Sequence, residues 1–267
     1  MYFTRRSRKL QKIVFDADML LYIACDRTEK VIEWEEDFFT LHCDLKEATA
    51  MFDEHVKELL ELVIDHWHIE GEYQIIMCLS DDTNFRKDIF PDYKANRNHK
   101  RRPVCYKAMR KWIHENYDTL QLKNLEADDA VGITCGTTGI AVSGDKDFLS
   151  LPCRFYDFSR NEFHDTTLEE ADSFHRYQTL IGDATDNYRG CPRIGEVRAR
   201  RILDEEDTWE QVVRTYEANG SSEEEALLNA RLAFILREGY YDMKKGTVKL
   251  WTPYEKQSSG KTEIETF

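Results

Sequence analysis

The chain has 267 residues, of which 41% are hydrophobic and 33% charged, and its formal net charge is -14. This length fits one large domain or two small ones, and the lack of an apolar run of about 18 residues argues against a membrane-spanning helix. The basic N-terminus lacks the apolar stretch and cleavage site of a secretory signal. Seven widely spaced cysteines without a Cys-x-x-Cys pair predict reduced thiols, and hence a cytoplasmic protein.

In chain order, short apolar strands alternate with helical segments. The first strand is expected at residues 12–16 and is followed by a helix, and residues 31–43 have the alternation of a β-hairpin. Apolar residues then recur at helical spacing over residues 44–68, and a second buried strand covers residues 73–80.

The same alternation continues further along the chain. We expect strands at 119–123, 139–143 and 155–158, and helices at 104–117, 127–136 and 168–182. Strands that alternate with helices predict an α/β fold with a mainly parallel central sheet flanked by helices. In such sheets the ligand site lies beyond the carboxyl ends of the strands.

Acidic residues follow three of the predicted strands, and two more acidic clusters lie elsewhere, one of them at a helix start. They form five clusters: Asp16 with Asp18, Asp81 with Asp82, Glu126 with Asp128 and Asp129, Asp145 with Asp147, and Asp183 with Asp186. Each cluster alone has an ordinary explanation, because acids cap helices and form turns. At one sheet edge they would repel one another without cations. Carboxylates without His or Cys favour Mg²⁺, with Mn²⁺ as a substitute, and a pair of such ions catalyses in-line attack on a phosphodiester.

A basic segment interrupts this acidic chain. Between Phe85 and Lys111, ten Lys or Arg residues stand against two Asp residues. Such a segment is either a solvated surface loop or a segment that binds phosphate groups. Its composition alone does not decide between the two.

A second feature points to nucleic acid. A glycine-bounded turn, Gly190 to Gly195, precedes a predicted helix, and Arg193, Arg198 and Arg201 add positive charge nearby. The turn and the helix N-terminus expose backbone amides that can bind a phosphate without reading base sequence. The alternative is an ordinary turn between two helices.

Five motifs, in order, resemble those of the 5′-3′ exonuclease and flap endonuclease family, most closely its bacteriophage members. They are FDADMLLY, FRKDIFPDYKANR, LEADDAVG, VSGDKDFLSL and GDATDNYRGCPRIG. The resemblance implies a PIN-like 5′-nuclease domain over residues 1–180, with an arch segment at residues 85–111. It also implies a helix-hairpin-helix region over residues 181–267 that binds the DNA duplex.

The resemblance implies roles for the acids as well. The first metal site would consist of Asp16, Asp81, Glu126 and Asp128, and the second of Asp145, Asp147 and Asp183, with Asp128 between the two ions. Asp129 and Asp186 match outer acids that act through water. The family usually has more residues between the second acid and the Phe-Arg pair, so Asp82 could replace Asp81. Asp18 is an acid outside the general pattern.

The remaining roles concern DNA. The resemblance assigns DNA contacts to Arg86, Tyr93, Lys94 and Arg97 in the arch, and to Gly190, Arg193, Gly195, Arg198 and Arg201 around the turn. Lys94 and Arg97 would contact the scissile phosphodiester and, with Asp128 and Asp145, make up the catalytic set. Tyr93 would stack on a terminal base.

The function expected from these residues is that of a monomeric 5′-3′ exonuclease that uses two divalent ions. It would act on duplex DNA with 5′ ends or flaps, and on RNA–DNA hybrids during primer removal, in phage DNA replication or degradation. Two alternatives stay open: a family member that has lost catalysis and only recognises branched DNA, and a PIN-like ribonuclease. The intact acids argue against the first, and the turn and basic segment against the second.

Overall fold

The computed structural model describes residues 10–97 and 101–253. In chain order the strands are β1 (Gln11–Asp16), β2 (Lys30–Glu35), β3 (Phe38–His42), β4 (Tyr73–Leu79), β5 (Thr119–Gln121), β6 (Ile140–Ser143), β7 (Arg154–Asp157), β8 (Glu162–Asp165), β9 (Gly182–Asp183), β10 (Tyr188–Arg189), β11 (Tyr241–Asp242) and β12 (Thr247–Val248). The helices are α1 (Ala17–Thr28), α2 (Leu45–His66), α3 (Phe85–Ile89), α4 (Tyr106–Asn116), α5 (Ala127–Cys135), α6 (Leu168–Ile181), α7 (Glu196–Glu205), α8 (Trp209–Ala218) and α9 (Glu223–Ala233), with 3-10 helices at Ala95–Arg97 and Lys146–Ser150.

Six strands form the central sheet, in the order β5-β4-β1-β6-β7-β8. All neighbouring pairs are parallel except β7 and β8, which are antiparallel. The inner strand β1 is a continuous apolar run at Ile13, Val14 and Phe15, all fully buried, which is typical of parallel strands covered on both faces. The predicted α/β architecture with a mainly parallel sheet is confirmed.

The two faces of the sheet belong to separate cores. Ile13 and Phe15 pack with α1, α2 and α4 on one face. Val14 packs with α5 and with Phe234 on the other face, because successive side chains of a strand point to opposite sides. Residues after α9 thus return to the sheet and complete its second core.

The ends of the central strands lead directly into helices, and acids begin those helices. The Asp16 carboxylate accepts a hydrogen bond from the backbone N–H of Met19 at the start of α1. Glu126 and Asp129 form a capping box at the start of α5, and Asp145 caps the 3-10 helix Lys146–Ser150. The ordinary capping role of these acids is therefore real, and it fixes their carboxylates at the carboxyl edge of the sheet.

The C-terminal region begins where α6 leads into the short β9–β10 hairpin. The turn from Gly190 to Gly195 follows, and α7 begins at Glu196, as predicted. Helices α7, α8 and α9 share a core that includes Leu180 of α6. The division of the chain after residue 180 stays a prediction.

Other local predictions are also confirmed. Strands β2 and β3 form the antiparallel hairpin expected at residues 31–43, and all seven cysteines lie in the described ranges as free thiols. Helix α3, inside the basic segment, was not predicted. Among the helices of residues 10–97 and 101–253, none has the length and apolar character needed to cross a bilayer.

Candidate active site

Carboxylates from separate parts of the chain meet at the carboxyl edge of β1 and β6. The hydroxyl of Ser143, the last residue of β6, donates to Asp16 Oδ2 at 3.0 Å and accepts the backbone N–H of Asp145 at 3.2 Å. One serine thus holds the acids that follow two neighbouring strands. The pKa of Asp16 rises to about 7, first because the carboxyl is buried, and further because Asp18 and Asp145 are close.

The start of α5 supplies a second group. Carboxylate oxygens of Glu126, Asp128 and Asp129 lie within 4.8 Å of one another. Burial raises the pKa of Asp128 well above its usual range, and the charges of Asp129 and Glu126 raise it further. Such crowding of carboxylates suits a hard divalent cation, which would replace repulsion with attraction.

A third group comes from the loops after β6 and α6. Burial, and after it the nearby charges of Asp145 and Asp183, raises the pKa of Asp147 to about 7. Asp128, Asp145, Asp147, Asp183 and Asp186 line a single cleft of about 740 Å³. The structure thus brings together most of the acids that were predicted to hold metal ions.

Two cations of the basic segment reach the same cleft. Lys94 Nζ forms an ion pair with Glu126 and lies 3.5 Å from Asp186 Oδ2, and Arg97 donates to Asp186 Oδ1 at 2.6 Å. Burial opposes ionisation of Glu126, yet Lys94 and Arg86 hold its pKa at about 2. Lys94 has a left-handed backbone (φ 55°), which is uncommon for a non-glycine residue.

Sequence comparison identifies the family. Residues 36–177, more than half of the chain, match the family model described as the 5′-3′ exonuclease N-terminal resolvase-like domain. The chain belongs to this family. Membership in the 5′-3′ exonuclease family confirms the prediction of a nuclease.

Curated relatives include two phage exonucleases of similar length. The exodeoxyribonuclease of Enterobacteria phage T3 is 26% identical over 283 aligned positions, which cover 90% of this chain and 92% of that protein. The exonuclease of Escherichia phage T7 is 25% identical over 90% of this chain and 93% of its own length. The resemblance to bacteriophage members is therefore confirmed.

Solved structures share the fold. The T5 5′-exonuclease with bound zinc ions has a TM-score of 0.56 at 17% identity, covering 85% of this chain and 89% of its own. The bacteriophage T5 flap endonuclease, in a pseudo-enzyme–product complex with DNA and metal ions, has a TM-score of 0.56 at 15% identity, covering 84% and 88%. These matches confirm the predicted 5′-nuclease fold class.

Arg86 and Asp129, which form one buried ion pair, have structural roles that differ from those predicted. The Arg86 guanidinium donates two hydrogen bonds to Asp129, at 2.6 and 2.8 Å, and others to the carbonyl oxygens of Leu232 and Phe234. Arg86 is only 1% exposed and Asp129 is 0% exposed. This geometry contradicts the prediction that Arg86 contacts DNA.

The same arrangement removes Asp129 from the metal ligands. Its Oδ1 also accepts the backbone N–H of Leu236, and its Oδ2 that of Glu126. Four donors thus fill the acceptor sites of one carboxylate. Asp129 fastens α5 to the returning C-terminal segment, instead of acting on a metal ion through water.

Removing the Arg86 side chain alone should therefore cost stability. Arg86→Met leaves the buried Asp129 carboxylate without its partner, and we expect a loss of about 3–5 kcal/mol in urea unfolding. Arg86→Met combined with Asp129→Leu should recover much of that loss, since neither charge remains. A stable Arg86→Met variant with a smaller salt dependence of DNA binding would restore the predicted DNA contact.

Tyr93 is a second correction. Its side chain is 2% exposed, and its ring packs with Tyr188, Leu232 and Ala233. The hydroxyl lies 2.9 Å from Glu126 and 2.8 Å from Asp186. A ring buried in this way cannot stack on a terminal base, so Tyr93 positions two acids instead.

Asp81 is a third. Its Oδ2 accepts from Thr83 Oγ1 and from the backbone N–H of Asn124, and its Oδ1 from Gln121 Nε2. Burial opposes its ionisation, but these hydrogen bonds outweigh that effect and lower its pKa to about 2. The carboxylate is engaged by neutral groups of neighbouring loops, and the predicted role as a first-site ligand has no support in this geometry. Asp82 is exposed.

The turn before α7 and the helix itself place their arginines on the surface. Arg193, Arg198 and Arg201 are exposed, as is Gly195. Gly190 differs, because a Cβ there would overlap the carbonyl oxygen of Leu180. Its lack of a side chain serves close packing against α6.

Sequence reasoning missed part of the cleft wall. Lys146, Arg160 and Tyr177 line it beside the acids. Arg160 donates to Asp157, the last residue of β7, at 2.5 Å. The sequence-based prediction considered acids at the ends of three strands. Asp157 at the end of β7 is a fourth case of the same pattern, and it would have drawn attention to the loop after β7.

Proposed function

We propose that the protein is a divalent-metal-dependent 5′-3′ exonuclease that hydrolyses phosphodiester bonds of duplex DNA from the 5′ end, and that also cleaves 5′ flaps. The observation that carries this proposal is the cleft in which Asp128, Asp145, Asp147 and Asp183 face Lys94. Paired acids can hold cations, and the adjacent lysine can contact a phosphate. Family membership and the phage relatives support the same activity.

The residues present fit two hard divalent ions, which we propose to be Mg²⁺ or Mn²⁺. The donor set is made of carboxylates alone, and burial, followed by their mutual repulsion, raises the pKa of several of them. Asp16, Glu126 and Asp128 would hold the first ion, and Asp145, Asp147 and Asp183 the second, with Asp186 acting through water. Such ions, when bound, would supply positive charge to the scissile phosphate and an activated water.

Lys94 and Arg97 give the cleft its own cations. In the structure they are paired with Glu126 and Asp186. A phosphodiester entering the cleft adds negative charge beside them, so both can bind its oxygens while the acids are neutralised by metal ions. We assign them to the stabilisation of negative charge as the phosphodiester is attacked.

The duplex would bind beside the cleft, whose wall includes Gly195. Exposed Gly195, Arg193, Arg198 and Arg201 lie at the start of α7, where free backbone amides and guanidinium groups suit phosphate oxygens. We propose residues 1–180 as the nuclease domain, with the arch at 85–111, and residues 181–267 as the helix-hairpin-helix region. Only part of the arch and of the C-terminal region lies in the described residues.

Backbone-only binding leads to a prediction. Arg198→Ala or Arg201→Ala should weaken duplex binding about equally for all sequences, because phosphates have no base identity. The slope of log K against log salt should shrink by about one unit for each lost contact. Lys57→Ala, an exposed lysine on α2, is the control and should leave the slope unchanged. A loss that depends strongly on base sequence would contradict the assignment.

One assay tests the function as a whole. Labelled duplex DNA, a 5′ flap, an RNA–DNA hybrid and single-stranded RNA are incubated with the protein in Mg²⁺ or in EDTA. We expect the duplex and the flap to be cleaved in Mg²⁺ and not in EDTA. We also expect cleavage of the hybrid, which would extend the proposal to primer removal. Binding without cleavage would favour the catalytically silent DNA-binding protein, and cleavage of RNA alone the PIN-like ribonuclease.

The wider setting follows from the relatives and the thiols. We propose a monomer that acts in phage DNA replication or degradation, in the reducing cytoplasm of a host cell, since all seven cysteines are free.

A further inference from the structure

We propose that Asp18 supplies the first metal site with the carboxylate that Asp81 does not. This inference rests on the proposed metal-dependent function. It concerns an acid that the family pattern leaves without a role.

Asp18 lies in the first turn of α1, two residues after Asp16. Its Oδ2 accepts the backbone N–H of Ser80 at 3.0 Å. Its Oδ1 is buried and has no hydrogen-bond partner among the described residues. A buried carboxylate oxygen without a donor is costly, and a cation is the partner that such an oxygen lacks.

The position of Asp18 continues the row of acids along the sheet. The order of the central strands is β4-β1-β6. Asp18 is bound to Ser80, which follows β4; Asp16 ends β1; and Asp145 follows β6. The three carboxylates therefore follow the order of the three strands at one edge.

Ser80 connects Asp18 to the third part of the site. Its hydroxyl accepts the backbone N–H of Ala127 at 2.9 Å, between Glu126 and Asp128 at the start of α5. One residue thus holds Asp18 by its N–H and the start of α5 by its hydroxyl. Asp81, the next residue, binds Thr83, Asn124 and Gln121 instead. Asp18 is therefore held by the residue that follows β4 and that also binds the start of α5, where a ligand from the end of β4 was predicted.

Manganese binding by the full-length protein tests this assignment without reference to catalysis. Free Mn²⁺ is measured by electron paramagnetic resonance during titration of wild type, Asp18→Asn, Asp81→Asn and the matched control Asp82→Asn. We expect Asp18→Asn to lower the affinity for one of the two Mn²⁺ ions by about 10–100-fold, the range seen when groups around a metal site are removed. Asp81→Asn and Asp82→Asn should keep the wild-type affinity.

Thermal melting gives a second readout. In EDTA, the melting temperature of Asp18→Asn should be no lower than that of wild type, because the substitution relieves repulsion beside Asp16. Adding Mn²⁺ should raise the melting temperature of this variant by less than it raises that of wild type. Asp81→Asn should have a lower melting temperature than wild type, since its hydrogen bonds to the neighbouring loops are altered. Adding Mn²⁺ should nevertheless raise its melting temperature by as much as it raises that of wild type. If Asp18→Asn does not fold, Asp18→Glu keeps the charge but moves it by one methylene, and its Mn²⁺ affinity must also fall.

Three outcomes would overturn the inference: wild-type Mn²⁺ affinity in Asp18→Asn, the same result in Asp18→Glu where the first variant does not fold, or loss of affinity in Asp81→Asn alone. A wild-type protein that binds no Mn²⁺ overturns both this inference and the metal-dependent function. A wild-type protein that binds two ions but cleaves no DNA overturns the function alone, and the binding data then still decide the role of Asp18.

Discussion

Asp145→Ala and Asp147→Ala are each expected to lower the single-turnover cleavage rate by several orders of magnitude while duplex binding stays measurable. Both acids line the cleft and crowd each other and Asp183, so removing either would disrupt the second ion. Arg198 and Arg201 are not among the residues that line this cleft, so the duplex contacts proposed for them should remain. Rates are compared at saturating enzyme, which separates chemistry from binding.

The control for these variants is Glu61→Ala, an exposed acid on α2. It removes one negative charge without touching the cleft, and should cleave at the wild-type rate. Mn²⁺ titration of the same proteins should reveal the loss of one ion in Asp145→Ala and Asp147→Ala. Rates within about threefold of wild type in both variants, a difference of less than 1 kcal/mol in the barrier, would remove the two acids from the mechanism.

Lys94→Ala should slow the chemical step by about 10²–10³-fold, or roughly 3–4 kcal/mol, the cost of removing one well-placed donor from a site that excludes water. Its ammonium group lies at the cleft beside Glu126 and Asp186, where a phosphodiester would develop charge. Only an interaction that is stronger in the transition state than in the ground state lowers the barrier. The loss should therefore remain when the enzyme is saturating.

Two further variants make the Lys94 experiment specific. Lys94→Arg keeps the charge but changes its shape and reach, so only partial rescue is expected. Lys87→Ala removes an exposed lysine of the same basic segment and should affect binding alone. If Lys94→Ala cleaves at the wild-type rate under single-turnover conditions, Lys94 serves only to capture DNA.

The elements that sequence predicted well are those set by local pattern. The apolar run at Ile13, Val14 and Phe15 indicates a strand buried on both faces, and a parallel sheet gathers the acids at its carboxyl edge. Asp16 and Asp145 could be placed together for this reason alone. The convergence of the acids required no knowledge of tertiary contacts.

The incorrect predictions have two causes: long-range packing, and the alternation of side chains between the two faces of a strand. Arg86 and Tyr93 lie in a segment whose composition is typical of a DNA-binding surface, but Leu232 and its neighbours, far along the chain, return to bury both. No local pattern announces that return. Asp81 illustrates the other difficulty, because a shift of one residue at the end of a strand sends a side chain to a different neighbour. Ser80, not Asp81, connects to α5.

The buried Arg86 also has a consequence for the order in which the site is completed during folding. The hydrogen bond from its Nε to the carbonyl oxygen of Leu232 joins residues 146 positions apart in the chain. All five family motifs end by residue 195, so the segment that holds Arg86 against Asp129 follows all of the predicted site residues in the chain. Contacts of such high order form late in folding. The start of α5, which Arg86 anchors through Asp129, is therefore completed by contacts that form late in folding.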